Sequence, residues 1–281
     1  MTVRSRLIAG LLVAAVAAAA VASAQRRRPG GGGFGGFNRG PAPKMMTADD
    51  YNGAFLFCRI AFRQNPYGDG GGWGVDYPRA DINLTFRLSE LTKTPVTRDE
   101  RDGYNHVVLT LTDPLLYKCP FIMMTEVGAA FFSEPEAAAL HDYIVKGGFL
   151  WADDFWGERA WDAWAEQIGK AFPPSVYPIR DVPLEHQLFH VLYDINHYTQ
   201  IPSINFFAYS GGTSERGAES AQPHVRAILN PDDQRIMVVM THNTDFGDAF
   251  EREGDDRQYF LKFAPDGYAF GVNTLVYSMT H

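Results

Sequence analysis

Hydrophobic positions along the chain change period several times, and each change predicts an element. Residues 54–62 are apolar apart from Arg59 and predict a strand buried on both faces. Leu84, Leu88 and Leu91 fall at i, i+4 and i+7 and predict a helix over 80–92 with one buried stripe. Apolar runs at 106–111, 121–125 and 149–152 predict three further strands, the first of them stopped by Asp113-Pro114. Between the last two, Ser133-Glu134-Pro135-Glu136 has the form of a capping box, and Gly147-Gly148 ends the helix it opens. Trp161, Trp164 and Ile168 set a second buried stripe over 158–172. Strand and helix alternating at this pitch predict an α/β fold, a three-layer sandwich with helices on both faces of a mostly parallel sheet.

The second half is less regular. Residues 173–200 are rich in proline, histidine and aromatics without a clear period, and 204–209 read as a strand. Residues 225–229 and 235–240 flank Asn230-Pro231-Asp232-Asp233 and predict a hairpin, which adds antiparallel strands to the sheet. Two helices, over 256–263 and 271–279, close the chain. No internal repeat is visible.

The N-terminus has a different character. Arg4 and Arg6 precede 15 apolar or small residues, 7–21, and Ala22-Ser23-Ala24 then has the small-x-small form of a signal-peptidase site. The run is shorter than the roughly 18 residues of a spanning helix. The expectation is a signal peptide over 1–24, cleaved after Ala24, and a periplasmic or secreted product with no stable membrane insertion. Residues 25–46, with Arg26-Arg27-Arg28 and a glycine run, read as a tether. Residues 47–281 then form one α/β domain. The formal net charge is −8, and the seven basic residues of 1–46, accompanied by no acid, leave −15 on 47–281. A domain so acidic does not suit nucleic acid and favours neutral or cationic ligands. Cys58 and Cys119 are either a disulfide of an exported protein or two buried thiols.

In open parallel sheets ligands bind beyond the carboxyl ends of the strands. The residues just past each predicted strand are therefore the place to look for chemistry: Asp113, then Glu126, then Asp153 and Asp154, then His242, Asn243, Asp245, Asp248 and Glu251. Adjacent acids at the end of an apolar strand are costly to bury without a use. Asp153 and Asp154, with His242 beside them, are the candidate acid/base residues. Asp113, Glu126, Trp156, Asn243 and Asp245 are candidate ligand contacts. If a metal is held, Asp153, Asp154, Asp245 and Asp248 suit a hard divalent cation. No organic cofactor is called for. Each acid also has a structural reading, as a helix cap or loop brace. His186 and His190 lack the rest of a zinc signature. There is no G-x-S-x-G elbow, and neither cysteine sits on a strand-to-helix turn. Trp73, Tyr77, Trp151 and Trp156 suit either sugar stacking or core packing. The glycines at 68, 70, 71, 72 and 74 fit no phosphate-loop pattern and leave a lid as one use.

Three stretches carry a family likeness: Asp76-Tyr77-Pro78-x-Ala80-Asp81-x-Asn83-Leu84, Gly147-Gly148-Phe149-Leu150-x-x-Asp153-Asp154-Phe155-Trp156-Gly157, and His242-Asn243-Thr244-Asp245-x-Gly247-Asp248. With the ending Gly271-Val272-Asn273, Tyr277 and Met279-Thr280-His281, the chain over 53–281 resembles the bacterial domain of unknown function 4159. The resemblance implies a flavodoxin-like sandwich similar to class I glutamine amidotransferases, and an exported or membrane-tethered setting. It lends no activity. Where an amidotransferase carries its cysteine nucleophile, this chain reads Ala152-Asp153-Asp154-Phe155.

Two functions fit these residues. One is an exported domain whose acidic pocket binds a small neutral or cationic ligand, such as a carbohydrate, and hydrolyses it. The other is a non-enzymatic module that docks to envelope proteins and uses its acids structurally.

Overall fold

The computed structural model describes residues 42–281, so the expected signal peptide and most of the expected tether lie outside the described residues. Seven strands build the main sheet: β1 (Phe57–Ile60), β3 (His106–Leu109), β4 (Phe121–Thr125), β6 (Phe149–Phe155), β7 (Ile179–Asp181), β8 (His224–Leu229) and β9 (Ile236–His242). Their order across it is β3-β1-β4-β6-β9-β8-β7. The first five in that order pair parallel. The hairpin β8–β9 and the edge strand β7 pair antiparallel. Counting the parallel strands in chain order gives 2-1-3-4-5, the doubly wound order of flavodoxin-like folds. The strand order reverses between β1 and β4. A separate two-stranded ribbon, β2 (Arg63–Gln64) with β5 (Ala130–Phe131), joins the loops that leave these two strands.

Side chains alternate across the sheet, so each strand feeds two cores. On one face Phe149 and Trp151 pack with Leu84 and Leu88 of α1 (Arg79–Thr92), Phe246 and Phe250 of α5 (Phe246–Glu251), and Val272 of α6 (Arg257–Thr280). On the other face Leu150 and Ala152 pack with Leu140 and Ile144 of helix α2 (Glu134–Val145), and with Trp164 and Ile168 of helix α3 (Gly157–Ala171). This gives the expected three layers. The capping box forms as read, with the Ser133 N–H and hydroxyl both donating to Glu136 Oε2 (2.8 and 2.6 Å).

Cys58 and Cys119 are joined, their Cα atoms 6.1 Å apart. The bridge ties β1 to the entry of β4 across 61 residues of sequence, a closure worth about 4 kcal/mol of unfolded-chain entropy. Met46, in the segment read as tether, is buried, and its N–H donates to Val108 O.

Several expectations need correction. Residues 204–210 are helix α4 (Ile204–Ser210), not a strand. The short, mostly apolar stretch Ile204-Asn205-Phe206-Phe207 suits either state. The caps decide it, because Ser203 Oγ accepts from the Phe206 N–H and Gly211 closes the helix at φ 67°. The two closing helices are one, Arg257–Thr280, which runs through Pro265. Pro265 removes one donor, yet Phe263, Ala264, Gly267 and Phe270 around it are buried, and that packing outweighs the break. Leu91 does not complete the α1 stripe: it is 45% exposed, whereas Leu84 and Leu88 are fully buried. The first strand is trimmed to Phe57–Ile60. The fourth is longer than expected and includes Asp153 and Asp154.

Candidate functional site

β6 carries its acids because of a bulge. Ala152 is paired with Met240 and Phe155 with His242, so β6 spends one residue more than β9 over the same length. Alternation holds through Asp153, which shares the face of Trp151. Asp154 then takes up the slack in the left-handed conformation, φ 54°. Glu126 after β4 (φ 54°), Asn243 after β9 (φ 61°) and Asp76 at the end of the loop after β1 (φ 63°) do the same. Seven described non-glycine residues have positive φ, and these four sit where the parallel strands end. Such conformations cost energy and gather where the chain must aim a side chain.

The loop from β1 delivers Asp76. Arg59 Nη1, buried under it, donates to the carbonyls of Trp73 (3.2 Å) and Val75 (3.1 Å) and so fixes the two residues on either side of Gly74. Asp76 is 6% exposed, and its Oδ2 is buried without a hydrogen-bond partner. Gly247 in the first turn of α5 makes room for it, because a Cβ there would lie 2.2 Å from Asp76 Oδ2.

Around Asp76 the carboxylate oxygens fall into two trios. Asp76, Asp154 and Asp245 offer oxygens that all lie within 4.8 Å of one another, and so do Asp76, Asp248 and Glu251. Asp154 and Asp245 each use Oδ1 locally, accepting from Trp156 Nε1 (2.9 Å) and from the Asp248 N–H (2.7 Å). Asp248 Oδ1 accepts from Arg252 Nε (2.9 Å), and its Oδ2 from the Ile204 N–H. Glu251 Oε2 lies 2.7 Å from Arg252 Nη2. Burial raises Asp76, Asp154 and Asp245 well above the usual carboxylate range, and the neighbouring carboxylates add to this in each case. Glu251 is raised as well, chiefly by burial.

Asp153 stands next to this cluster but is otherwise engaged. Its Oδ1 accepts from Thr241 Oγ1 and its Oδ2 from the Gly247 N–H (3.0 Å), which locks β6 and β9 to the start of α5. Burial raises its carboxyl to about 7, against the lowering effect of those bonds.

His242 is one residue beyond Thr241 on β9 and therefore points to the other face. It packs against Phe155 and Trp161, with ring centroids 4.9 and 5.3 Å apart. Nε2–H donates to Gly157 O (3.0 Å), which leaves Nδ1 to accept from Arg226 Nη1 (3.3 Å). Burial lowers its pKa to about 4, so the ring is neutral. The expected pairing of His242 with Asp153 and Asp154 is not made.

The remaining candidates have separate roles. Asn243 is a brace, its Oδ1 accepting from the Gly157 N–H and its Nδ2 donating to Gln222 O, both at 2.8 Å. Trp156 serves Asp154. Glu126 lies beside Asp154 closely enough to raise it. The glycine-rich loop covers Glu126: a Cβ at Gly70 would be 2.6 Å from Glu126 Oε2, and Asp69 pairs with Arg216 (2.9 Å). Asp113 caps the turn after β3, accepting from the Leu115 N–H (2.8 Å), and belongs to neither trio. Trp73, Trp151 and Trp156 are at most 6% exposed, so they pack rather than offer a face to a sugar. His186 caps a turn through the Leu188 N–H, and His190 contacts Asp194 and Leu184 O, so they share no ligand.

Asp76 is the functional candidate that the strand-end rule misses. It sits 16 residues after β1, in a glycine-rich loop with no period, and its place in the Asp-Tyr-Pro stretch is the one signal that marks it. A family model described as a domain of unknown function, DUF4159, matches residues 61–279. The chain belongs to this family. No curated protein matches it. The matched span contains all five carboxylates of the two trios, Gly247 that makes room for Asp76, and both arms of the β8–β9 hairpin. It begins one residue after β1, so Arg59 lies just outside it. Among the described residues, no helix is long and apolar enough to cross a membrane.

Proposed function

We propose that this is an exported domain that binds a divalent cation through Asp76, Asp154 and Asp245, at the carboxyl ends of the parallel strands. The observation that carries this reading is Asp76 Oδ2, buried and unpartnered among carboxylate oxygens. A lone buried acceptor beside like charges is unfavourable unless a cation or a proton completes it. Two oxygens bound to one calcium at about 2.4 Å are at most about 4.8 Å apart, and the oxygens of this trio all lie within 4.8 Å of one another. All-oxygen donors suit calcium, magnesium or manganese rather than softer metals.

Burial narrows the ligand class. With Asp76, Asp154, Asp245 and Asp248 at 3–6% exposure, an ion can reach these oxygens and a sugar ring cannot lie on them. The Cys58–Cys119 bridge supports export, because such bonds persist in oxidising compartments.

The non-enzymatic alternative draws support from Asp153, Asn243 and Asp245, each of which holds a backbone N–H. In that case the cation fastens the loops that a partner touches.

Thermal unfolding with and without millimolar calcium, magnesium or manganese tests the cation. Wild type is expected to gain melting temperature with at least one of them and Asp76→Asn to gain none. Equal shifts in both proteins, or none in wild type, would remove the reading.

A further inference from the structure

We infer that the site is binuclear: two divalent cations sit side by side and Asp76 bridges them. This inference rests on the cation-binding reading above and specifies its stoichiometry and geometry. The five carboxylates do not gather into one group. Asp154 and Asp245 meet Asp76 to form one trio, and Asp248 and Glu251 meet it to form the other. Asp76 is common to both, and a carboxylate has two oxygens with lone pairs to spare for two ions. Its Oδ2 has no hydrogen bond to compete with a metal.

The positions of the ligands in the chain support two centres. Asp154 lies at the end of β6, and Asp245 three residues beyond β9. Asp248 and Glu251 lie three residues apart on α5, and Asp245 caps that helix. Three residues is close to one helical turn, so Asp248, in the first turn of α5, and Glu251, at its last residue, lie on one side of the helix. Gly247, also in the first turn, leaves room for the bridging carboxylate.

Charge points the same way. The two trios carry five formal negative charges when ionised, and Arg252, which holds Asp248 and lies against Glu251, offsets one. One divalent cation leaves a net of −2 in a buried site. Two bring these six side chains to neutrality, closer to the pairing that buried ions need. Paired ions roughly 3.5–4 Å apart joined by a carboxylate are the arrangement that clamps an oxyanion, so the class of ligand such a centre would take is a small oxyanion such as inorganic phosphate.

The test uses the full chain stripped with chelator and dialysed against manganese(II), with metal counted per chain by mass spectrometry and the spectrum read by electron paramagnetic resonance. The expected result is two manganese per chain, with the broadened signal of exchange-coupled ions. Asp154→Asn and Glu251→Gln should each lower the count to one and restore the six-line signal of an isolated ion. Asp113→Asn, outside both trios, should keep two. One ion per wild-type chain would overturn the binuclear inference and leave the cation-binding reading intact. Two ions without coupling would overturn the bridge. No bound metal would overturn both readings. The wild-type count and spectrum decide the matter even if a variant fails to fold.

Discussion

Asp76 and Asp81 are five residues apart, both buried, and treated in opposite ways. Asp81 is fully paired: Arg59 Nε lies 3.0 Å from both its oxygens, Nη2 adds another contact, and Nη1 is spent on the Trp73 and Val75 carbonyls. Asp76 has an oxygen with no partner and carboxylates for neighbours. A buried carboxylate that serves the fold is matched within the chain. One left unmatched, in a loop that Arg59 holds in place, is what the proposed cation would match. Asp153 is likewise bonded on both oxygens, while Asp154 next to it accepts from Trp156 Nε1 on Oδ1.

The largest effect should come from breaking the matched pair. Arg59→Met leaves Asp81 buried and alone and is expected to cost about 3–5 kcal/mol in denaturant unfolding. Asp76→Asn, which removes charge from a crowded site, should leave metal-free stability unchanged or higher. A cost for Asp76→Asn comparable to that of Arg59→Met would erase the distinction.

His242 offers a second matched group, read through pH. Its folded pKa of about 4 is below the unfolded value near 6.5. Between these values the unfolded chain binds the extra proton. The contribution is therefore complete above about pH 6.5 and is lost as pH falls towards 4, by roughly 3 kcal/mol at 1.36 kcal/mol per unit. The difference in stability between wild type and His242→Phe, measured from pH 7 to 4, should show this slope, because the raised Asp153 carboxyl opposes it equally in both proteins.

Filling the cation site should add about 2.7 kcal/mol at 100 times the dissociation constant. Asp76→Asn should abolish the gain while Asp113→Asn preserves it, as followed by melting temperature. Smallest is Gly247→Ala, whose methyl would meet Asp76 Oδ2 at 2.2 Å. The expected cost is about 1–3 kcal/mol. Weaker cation binding by calorimetric titration should accompany it, and binding unchanged from wild type would show that Asp76 has room to move without consequence.

Much of this architecture is legible along the chain. The strands at 106–109, 121–125, 224–229 and 236–242 and the helices after Ser133 and Trp156 declare themselves through period and caps. Helix α4 does not, because so short an apolar run has no period of its own, and its caps are the better witness. Of the site, the strand-end rule finds Asp154, Asp245, Asp248 and Glu251. It also gathers Asp113, Asn243 and His242, which cap, brace or face away.

Periodicity, caps and charge are local properties, so the elements, the α/β class and the acidic character of the strand ends could be read from the order of residues alone. Which acids meet depends on how the elements assemble. Strand order brings the loop after β1 to α5, a one-residue bulge turns Asp154 out of the alternation, and a single step along β9 sends Thr241 to one face and His242 to the other. These are outcomes of non-local pairing and register, where a shift of one residue exchanges the faces of a strand, and no local pattern encodes them.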